Sequence, residues 1–339
     1  MIMITVKEIA RLAGVSAKTA ERALSGATKD KRRDARERAE RVRQIAAAHG
    51  YRPSELALAL RRGSVRTIGF LSDILTDQFL AAAVETAMDE AGKAGYKVAV
   101  RLARFDPEQT EEEIKAFLSS GMDGIITACT EKQLPEELLH TLEKQKYPLF
   151  TLCGRTSFDF SSAAPDYSKA LPQAVKNLAE KGHKKITLCL FKGKEYNNKV
   201  NEKIFYESCR KYDVTADFRI HHDRHQAALL AEQHLPAVIL YGKYSMRIYL
   251  DRCRELDLHP DVIGIYNEWT LAAAKTFQFC GIILEEAETP VREAVRQILQ
   301  QLSGGKVQHL TRPALFVPEK EIPLLKVADL ANQMLFEQQ

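Results

Sequence analysis

The sequence contains no run of 18 uncharged apolar residues, so it offers no candidate membrane span. Its first six residues, Met1 to Val6, meet Lys7 and Glu8 before a signal-peptide core can form, and the expected location is the cytoplasm. The six cysteines, Cys129, Cys153, Cys189, Cys209, Cys253 and Cys280, show no paired spacing, which argues against a disulfide framework or a zinc finger and for reduced thiols. Neither G-x-G-x-x-G nor G-x-x-x-x-G-K-[ST] follows any strand-like segment, so dinucleotide and P-loop chemistry are not expected. No nucleophile, acid and base fall into a recognisable motif, and the chain reads as a non-enzyme without a cofactor. The run His221-His222-Asp223-Arg224-His225 looks like a ligand set. It lacks H-E-x-x-H order and an adjacent cysteine, reads as a loop, and no metal is expected there.

What the chain has is charge sorted by position. Up to Arg66 there are sixteen Lys/Arg against seven Asp/Glu, net +9; the remainder has 33 against 38, net −5. The whole-chain value of +4 hides this contrast. A basic head on a mildly acidic body is the footprint of a phosphate-binding module joined to something that does not bind nucleic acid. Within the head, Ile9, Ala10 and Ala13 recur at helical spacing and Gly14 interrupts them. Ser16 then caps a second helix, its hydroxyl placed to accept from the amide of Thr19. Ala20, Ala23 and Leu24 form that helix's apolar stripe, while Ala17, Lys18, Glu21, Arg22 and Ser25 share the opposite face. Two short helices joined by a glycine turn match a helix-turn-helix. Lys29 to Arg43 (KDKRRDARERAERVR) reads as a charged third helix with i,i+4 pairs, ending near Gly50; Arg32 or Arg36 touching phosphate is equally open.

After Pro53, Ser54 can cap a short helix from Glu55 to Arg62 that ends at Gly63. Two turns are too few to hold alone in water, so this segment reads as a conditional hinge. From Thr67 onward, strand-like runs alternate with amphipathic helices. The strands are Thr67–Leu71, Lys97–Leu102, Gly124–Thr127, Leu149–Leu152, Lys185–Leu190, Ala237–Tyr241 and Val262–Tyr266. The helices include Phe79–Ala94, Pro107–Ser119, Lys169–Glu180 and Tyr244–Leu256. That rhythm predicts βαβ units in two parallel sheets, with a ligand site outside the carboxyl ends of the strands, in the cleft between two lobes.

The head motif T-V-K-E-I-A-R-L-A-G-V-S at Thr5–Ser16 is followed by G-Y-R-P at Gly50–Pro53, L-R-R-G at the end of the hinge and R-T-I-G-F at Arg66–Phe70. D-G-I-I at Asp123–Ile126, G-H-K-K-I at Gly182–Ile186 and V-I-G-I at Val262–Ile265 continue the series. In these motifs and their order the chain resembles the lactose-repressor/galactose-repressor family of bacterial transcription regulators. The resemblance implies an all-α helix-turn-helix head (1–50), a hinge (51–66) and a core of two doubly wound α/β lobes like a periplasmic binding protein (67–323). A C-terminal amphipathic segment (324–339) then either packs or builds a tetramer. It also implies a homodimer on a pseudo-palindromic DNA operator, with affinity set by a small-molecule effector, often a sugar or nucleobase. Two alternatives remain open: a regulator whose core no longer senses, and an architectural DNA-binding protein.

Residue by residue, the resemblance places Thr5, Ser16, Thr19 and Ser25 among DNA contacts, with Ser16 and Thr19 reaching phosphate. Ala17, Lys18 and Arg22 match positions used on base edges: Arg22 suits guanine O6/N7 and Ala17 a thymine methyl. Glu21 departs from the family's usual serine; it orients Lys18 or Arg22, accepts from a cytosine amine, or is an exposed ion pair. Ala57 and Leu60 fall in the hinge, Leu60 at the leucine the family wedges into the minor groove. Expected effector contacts are Asp73, Phe79, Arg155, Asp166, Asn201, Lys243, Asn267, Trp269 and Glu285. Asn201, Gly242-Lys243 and Tyr266-Asn267 replace charged groups that commonly hold sugar hydroxyls in the family. With Arg155 and Lys243 present, the expectation is a carbohydrate-derived ligand bearing an anionic group, a neutral sugar being the nearest alternative.

Overall fold

A computed structural model describes residues 4–25, 33–51, 55–76, 78–191, 195–221, 224–267 and 279–324. The chain forms two compact units, Met1–Arg66 and Thr67–Gln339. In the first unit, α1 (Val6–Ala13) starts at Thr5, whose hydroxyl accepts from the Glu8 amide at 3.3 Å while Glu8 Oε2 accepts from the Thr5 amide at 3.1 Å. This reciprocal cap satisfies two of the helix's orphan donors. Gly14 ends the helix at φ 63°, a left-handed conformation in which glycine carries no Cβ penalty. Helix α2 (Ala17–Leu24) follows after the three residues Gly14 to Ser16, and α3 (Arg33–Ala48) packs on both. Their shared core is mostly methyl groups, from Ala10, Ala13, Ala20, Ala23, Ala39 and Ala46, with Ile9 and Val42 filling the centre. Small side chains let the helix backbones approach closely, and burying Ile9 and Val42 contributes roughly 1.5–3 kcal/mol each. Arg43 donates from Nε to the carbonyl of Ala23 at 3.3 Å, satisfying a C-terminal carbonyl of α2. A further helix, α4 (Glu55–Arg62), occupies the predicted hinge.

In the second unit the chain runs β1 (Thr67–Ser72), α5 (Gln78–Lys93), β2 (Lys97–Leu102), α6 (Pro107–Ser119), β3 (Gly124–Thr127), α7 (Glu136–Lys144), β4 (Leu149–Thr151) and β5 (Ser161–Asp166). It continues through α8 (Ala170–Glu180), β6 (Lys185–Phe191), α9 (Glu195–Lys211), β7 (Thr215–His221), α10 (Arg224–Ala231), β8 (Ala237–Tyr241), α11 (Lys243–Glu255), β9 (Asp261–Asn267) and β10 (Gly281–Glu285). Last come α12 (Glu288–Leu302), β11 (His309–Pro313) and β12 (Leu315–Pro318). Among the described residues these strands make two six-stranded sheets, ordered β11-β5-β4-β3-β1-β2 and β12-β10-β9-β8-β6-β7. All neighbours pair parallel except β10 with β12.

Each sheet is buried on both faces, which is why its strands read as continuous apolar runs. Ile68, Phe70, Ile126 and Phe150 face α5 and α12, whereas Leu71, Ile125 and Leu149 face the side of α6 and α7. In the second sheet Ile186, Leu188, Ile239 and Ile263 pack towards α8 and α9, and Val238, Leu240, Val262 and Ile282 towards α10 and α11. The chain crosses between lobes after β5, after β10 and at Ala314 between β11 and β12. The Ala314 amide donates to the Asp166 carbonyl at 2.9 Å, joining two of these crossings.

The predicted α/β rhythm agrees with these elements to within a residue or two where strands were assigned. Strands β5, β7, β10, β11 and β12 were not predicted. β5 reads S-S-A-A-P-D and β11 H-L-T-R-P, and both are strands because neighbours pair with them, a tertiary effect that outweighs their weak local preference. The histidine run is not one loop: His221 closes β7 and Arg224 opens α10, with residues 222–223 outside the described set. The expected C-terminal amphipathic segment (324–339) lies, beyond Leu324, outside the described residues as well. Among the described residues, no helix is long and apolar enough to cross a membrane.

Candidate DNA-reading face and effector cleft

In the head, the capping geometry sets what α2 can present. Ser16 accepts from the Thr19 amide at 3.1 Å, and its hydroxyl meets that of Thr19 at 2.8 Å. This bonding fixes the start of the helix, so its first turn is rigidly aimed. With Ala20 and Ala23 buried, Ala17, Lys18, Glu21 and Arg22 are exposed together on one face; Thr19 and Ser25 are half-buried. Ser25 donates from Oγ to the Arg22 carbonyl at 3.3 Å, and Thr5 is occupied by its cap with Glu8. On α4, Leu60 is 79% exposed, a large apolar side chain with nothing in its own unit to cover it. The side chain of Ala57 lies outside the described residues.

In the core, Asp73, Arg155, Asp166, Asn267 and Glu285 lie at or soon after the carboxyl ends of strands, while Phe79 and Asn201 sit on α5 and α9. Asp73, just past β1, accepts at Oδ1 from the Phe105 amide (2.9 Å) and Gln133 Nε2 (2.7 Å). Burial pushes its carboxyl above the ordinary range, against the pull of those bonds and the nearby Cys129 thiol. Asp73 therefore holds together the loops after β1, β2 and β3. Glu131 acts similarly, accepting at Oε1 from the amide of Ser157 at 2.6 Å and its hydroxyl at 2.8 Å. Phe79 is half-buried at the start of α5, and Arg155 is exposed after β4.

A small pocket, the closed end of the proposed cleft, is lined by Pro165, Tyr167, Leu190, Asn197, Asn198, Asn201 and Tyr241 where β5 crosses into the second lobe. Of the expected effector contacts, Asn201 lines it. Asp166 is one residue away, its Oδ1 accepting from the Ser168 amide at 2.8 Å. Glu285 ends β10 and accepts from the Tyr167 hydroxyl, which burial and that carboxylate keep protonated well above the usual tyrosine range. Asn267 ends β9, half-buried, and Lys243 opens α11; the Lys243 side chain and Trp269 are outside the described residues. Tyr167, Asn197, Asn198 and Tyr241 were not expected. Asn198 and Asn201 are 4% and 6% exposed, so α9 turns amides, not hydrocarbon, to its inner side at the cleft. Three asparagines at i, i+1 and i+4 in one helix were the available signal. Asn197 Nδ2 donates to the Cys153 carbonyl at 3.5 Å, bringing α9 of the second lobe against the β4 loop of the first.

The family model described as bacterial regulatory proteins of the lacI family matches residues 5–54. A second, described as periplasmic binding proteins and sugar binding domain of the LacI family, matches residues 65–235, half of the chain. The chain belongs to the LacI family. Over 187 residues it is 31% identical to the HTH-type transcriptional regulator PtxS of Pseudomonas putida, covering 54% of this chain and 52% of that protein. It is 27% identical over 231 residues to the HTH-type transcriptional regulator TreR of Salmonella typhimurium, covering 67% and 66%. The chain thus spans about half the length of curated relatives such as PtxS. A lac repressor dimer bound to operator and the anti-inducer ONPF shares the fold at TM-score 0.76 and 17% identity, over 94% of this chain and 99% of that one. LacI-family membership settles the architecture: a helix-turn-helix head followed by two parallel-sheet α/β lobes, in a family of regulators and not of enzymes.

Proposed function

We propose that this LacI-family chain is a sequence-specific DNA-binding transcriptional regulator, acting as a repressor in the bacterial cytoplasm. A small molecule in the cleft between its two lobes sets operator affinity. The observation that carries this reading is the pairing, in one chain, of a capped helix exposing Lys18 and Arg22 with a two-lobed core whose cleft is lined by amides and phenols. The head alone fits any DNA-binding protein; the cleft gives the core a purpose. The chain acts as a homodimer, since paired heads on a two-fold site double the base contacts. Arg22 reads guanine, Ala17 a thymine methyl, and Ser16 and Thr19 contact phosphate. The exposed Leu60 wedges into the minor groove between paired hinges, bending the duplex.

The test is binding to duplexes recovered by selection from random DNA, measured across salt. Each phosphate contact adds about −0.9 to the log–log slope, so two basic heads give a steep fall. Leu60→Ala is expected to lower affinity and DNA bending, measured by gel phasing, while the core stays dimeric. An unchanged bend together with lost dimerisation would assign Leu60 to packing.

A further inference from the structure

Resting on the DNA-binding reading above, we infer that Glu21 reads a cytosine in each half-site, and so sets part of this protein's operator preference. Glu21 is exposed on the same face of α2 as Lys18 and Arg22, three residues before it and one after. Ion pairs to either cation would be the ordinary use of such a carboxylate. No hydrogen bond or ion pair of the Glu21 side chain occurs among the described residues, although i,i+3 and i,i+4 pairs form elsewhere in the head, at Arg33–Glu37 and Arg43–Glu40. Among the described residues, then, the carboxylate has no partner on a face whose other charges are cationic.

A negative charge there is repelled by every phosphate, so it persists usefully only against a donor in the groove. A helical side chain covers the turn N-terminal to its own Cα. For Glu21 that turn begins with Ala17, four residues earlier, whose single methyl leaves room for the carboxylate to lie towards the start of the helix. The start of a recognition helix is where base edges are met. On those edges the cytosine N4 amine is a donor with no acceptor beside it on its own base, whereas the adenine N6 amine stands next to N7, which would repel a carboxylate. Cytosine is therefore the base a bare glutamate selects. Lys18 and Arg22 share that exposed face, where neighbouring guanine or phosphate oxygens would meet them.

The experiment selects duplexes from a random library with the full-length wild type, Glu21→Gln and Glu21→Ser, each first checked for an unchanged circular-dichroism spectrum. The wild type should enrich a motif with cytosine at one fixed position of each half-site. Glu21→Gln should shift that position towards adenine, whose N6/N7 pair a glutamine amide matches. Glu21→Ser should lose discrimination there, by roughly 5- to 150-fold, while both variants bind random DNA at least as tightly as wild type because a like charge is gone. The same motif from all three proteins overturns the inference and leaves the DNA-binding reading standing. No motif from the wild type overturns both.

Discussion

At Gly154 a missing side chain decides how closely two surfaces meet. Its φ of 101° suits glycine, and a Cβ added there would overlap the Asn197 amide of α9. Gly154→Ala is expected to cost about 1–3 kcal/mol, from backbone strain and the forced shift of α9 together. Urea unfolding measures the loss, and Asn197→Ala in the same chain should restore part of it, because the two changes share one contact. Additive effects would show that strain at φ alone is responsible. Sequence reasoning found Asn201 but not Asn197, Asn198 or Tyr167, and the cause is physical. A polar residue on a helix looks like a solvated face until the neighbouring sheet and crossing are known. Asp73 shows the converse: its type and position suggested a ligand contact, while its bonds to Phe105 and Gln133 show it also organises three loops.

Among the elements, α5 and α12 are tied by one carboxylate. Glu90 accepts from Lys93 at 2.7 Å and Arg292 at 3.2 Å on Oε2, and from Arg296 at 2.8 Å on Oε1. Chiefly through Lys93, and against the cost of burial, its carboxyl is held down at about 2. A folded value below the unfolded one means this tie contributes fully above about pH 4.5 and is lost as pH falls towards 2. Glu90→Gln should therefore destabilise the core at pH 7 by about 1 kcal/mol, a modest figure because Lys93 and Arg296 are largely exposed and screened. The difference from wild type should shrink between pH 4.5 and pH 3 in thermal unfolding, and a constant difference would refute the assignment. Strands with strong alternation or apolar runs, such as β1, β3 and β8, were legible as elements. β5 and β11, which depend on each other across the chain, were not, since pairing of distant segments leaves no local mark; β10, G-I-I-L-E, carries the same kind of apolar run as β3 and was overlooked.

For the molecule as a whole, the proposed effector is the property to test. Arg155 is exposed near the end of β4 and Lys243 opens α11, so a carbohydrate-derived ligand with an anionic group is the proposal to test. Trp269 is the single tryptophan, so any change of intrinsic tryptophan fluorescence in a titration is assigned to one side chain without a label. Titration with glucose, gluconate and fructose 1-phosphate is expected to give a response to the anionic compounds, selectively weakened in Lys243→Ala. A response to glucose alone, untouched by that substitution, would refute an anionic effector. The expected coupling to operator affinity is about 1–3 kcal/mol, and DNA must change effector affinity by the same factor.

The three crossings also govern how the molecule is born. The first lobe lacks its edge strand β11 and the covering helix α12 until the ribosome has made roughly 150 residues beyond Asp166, some 7–30 s at ordinary elongation rates. Through that interval the β5 edge and the apolar faces that α12 will cover emerge before their partners exist. The head, whose fully buried core is complete by Ala46, can fold meanwhile. A nascent or truncated chain is therefore a finished three-helix head on a body whose apolar faces still lack their partners, a state prone to aggregate until α12 and β11 arrive.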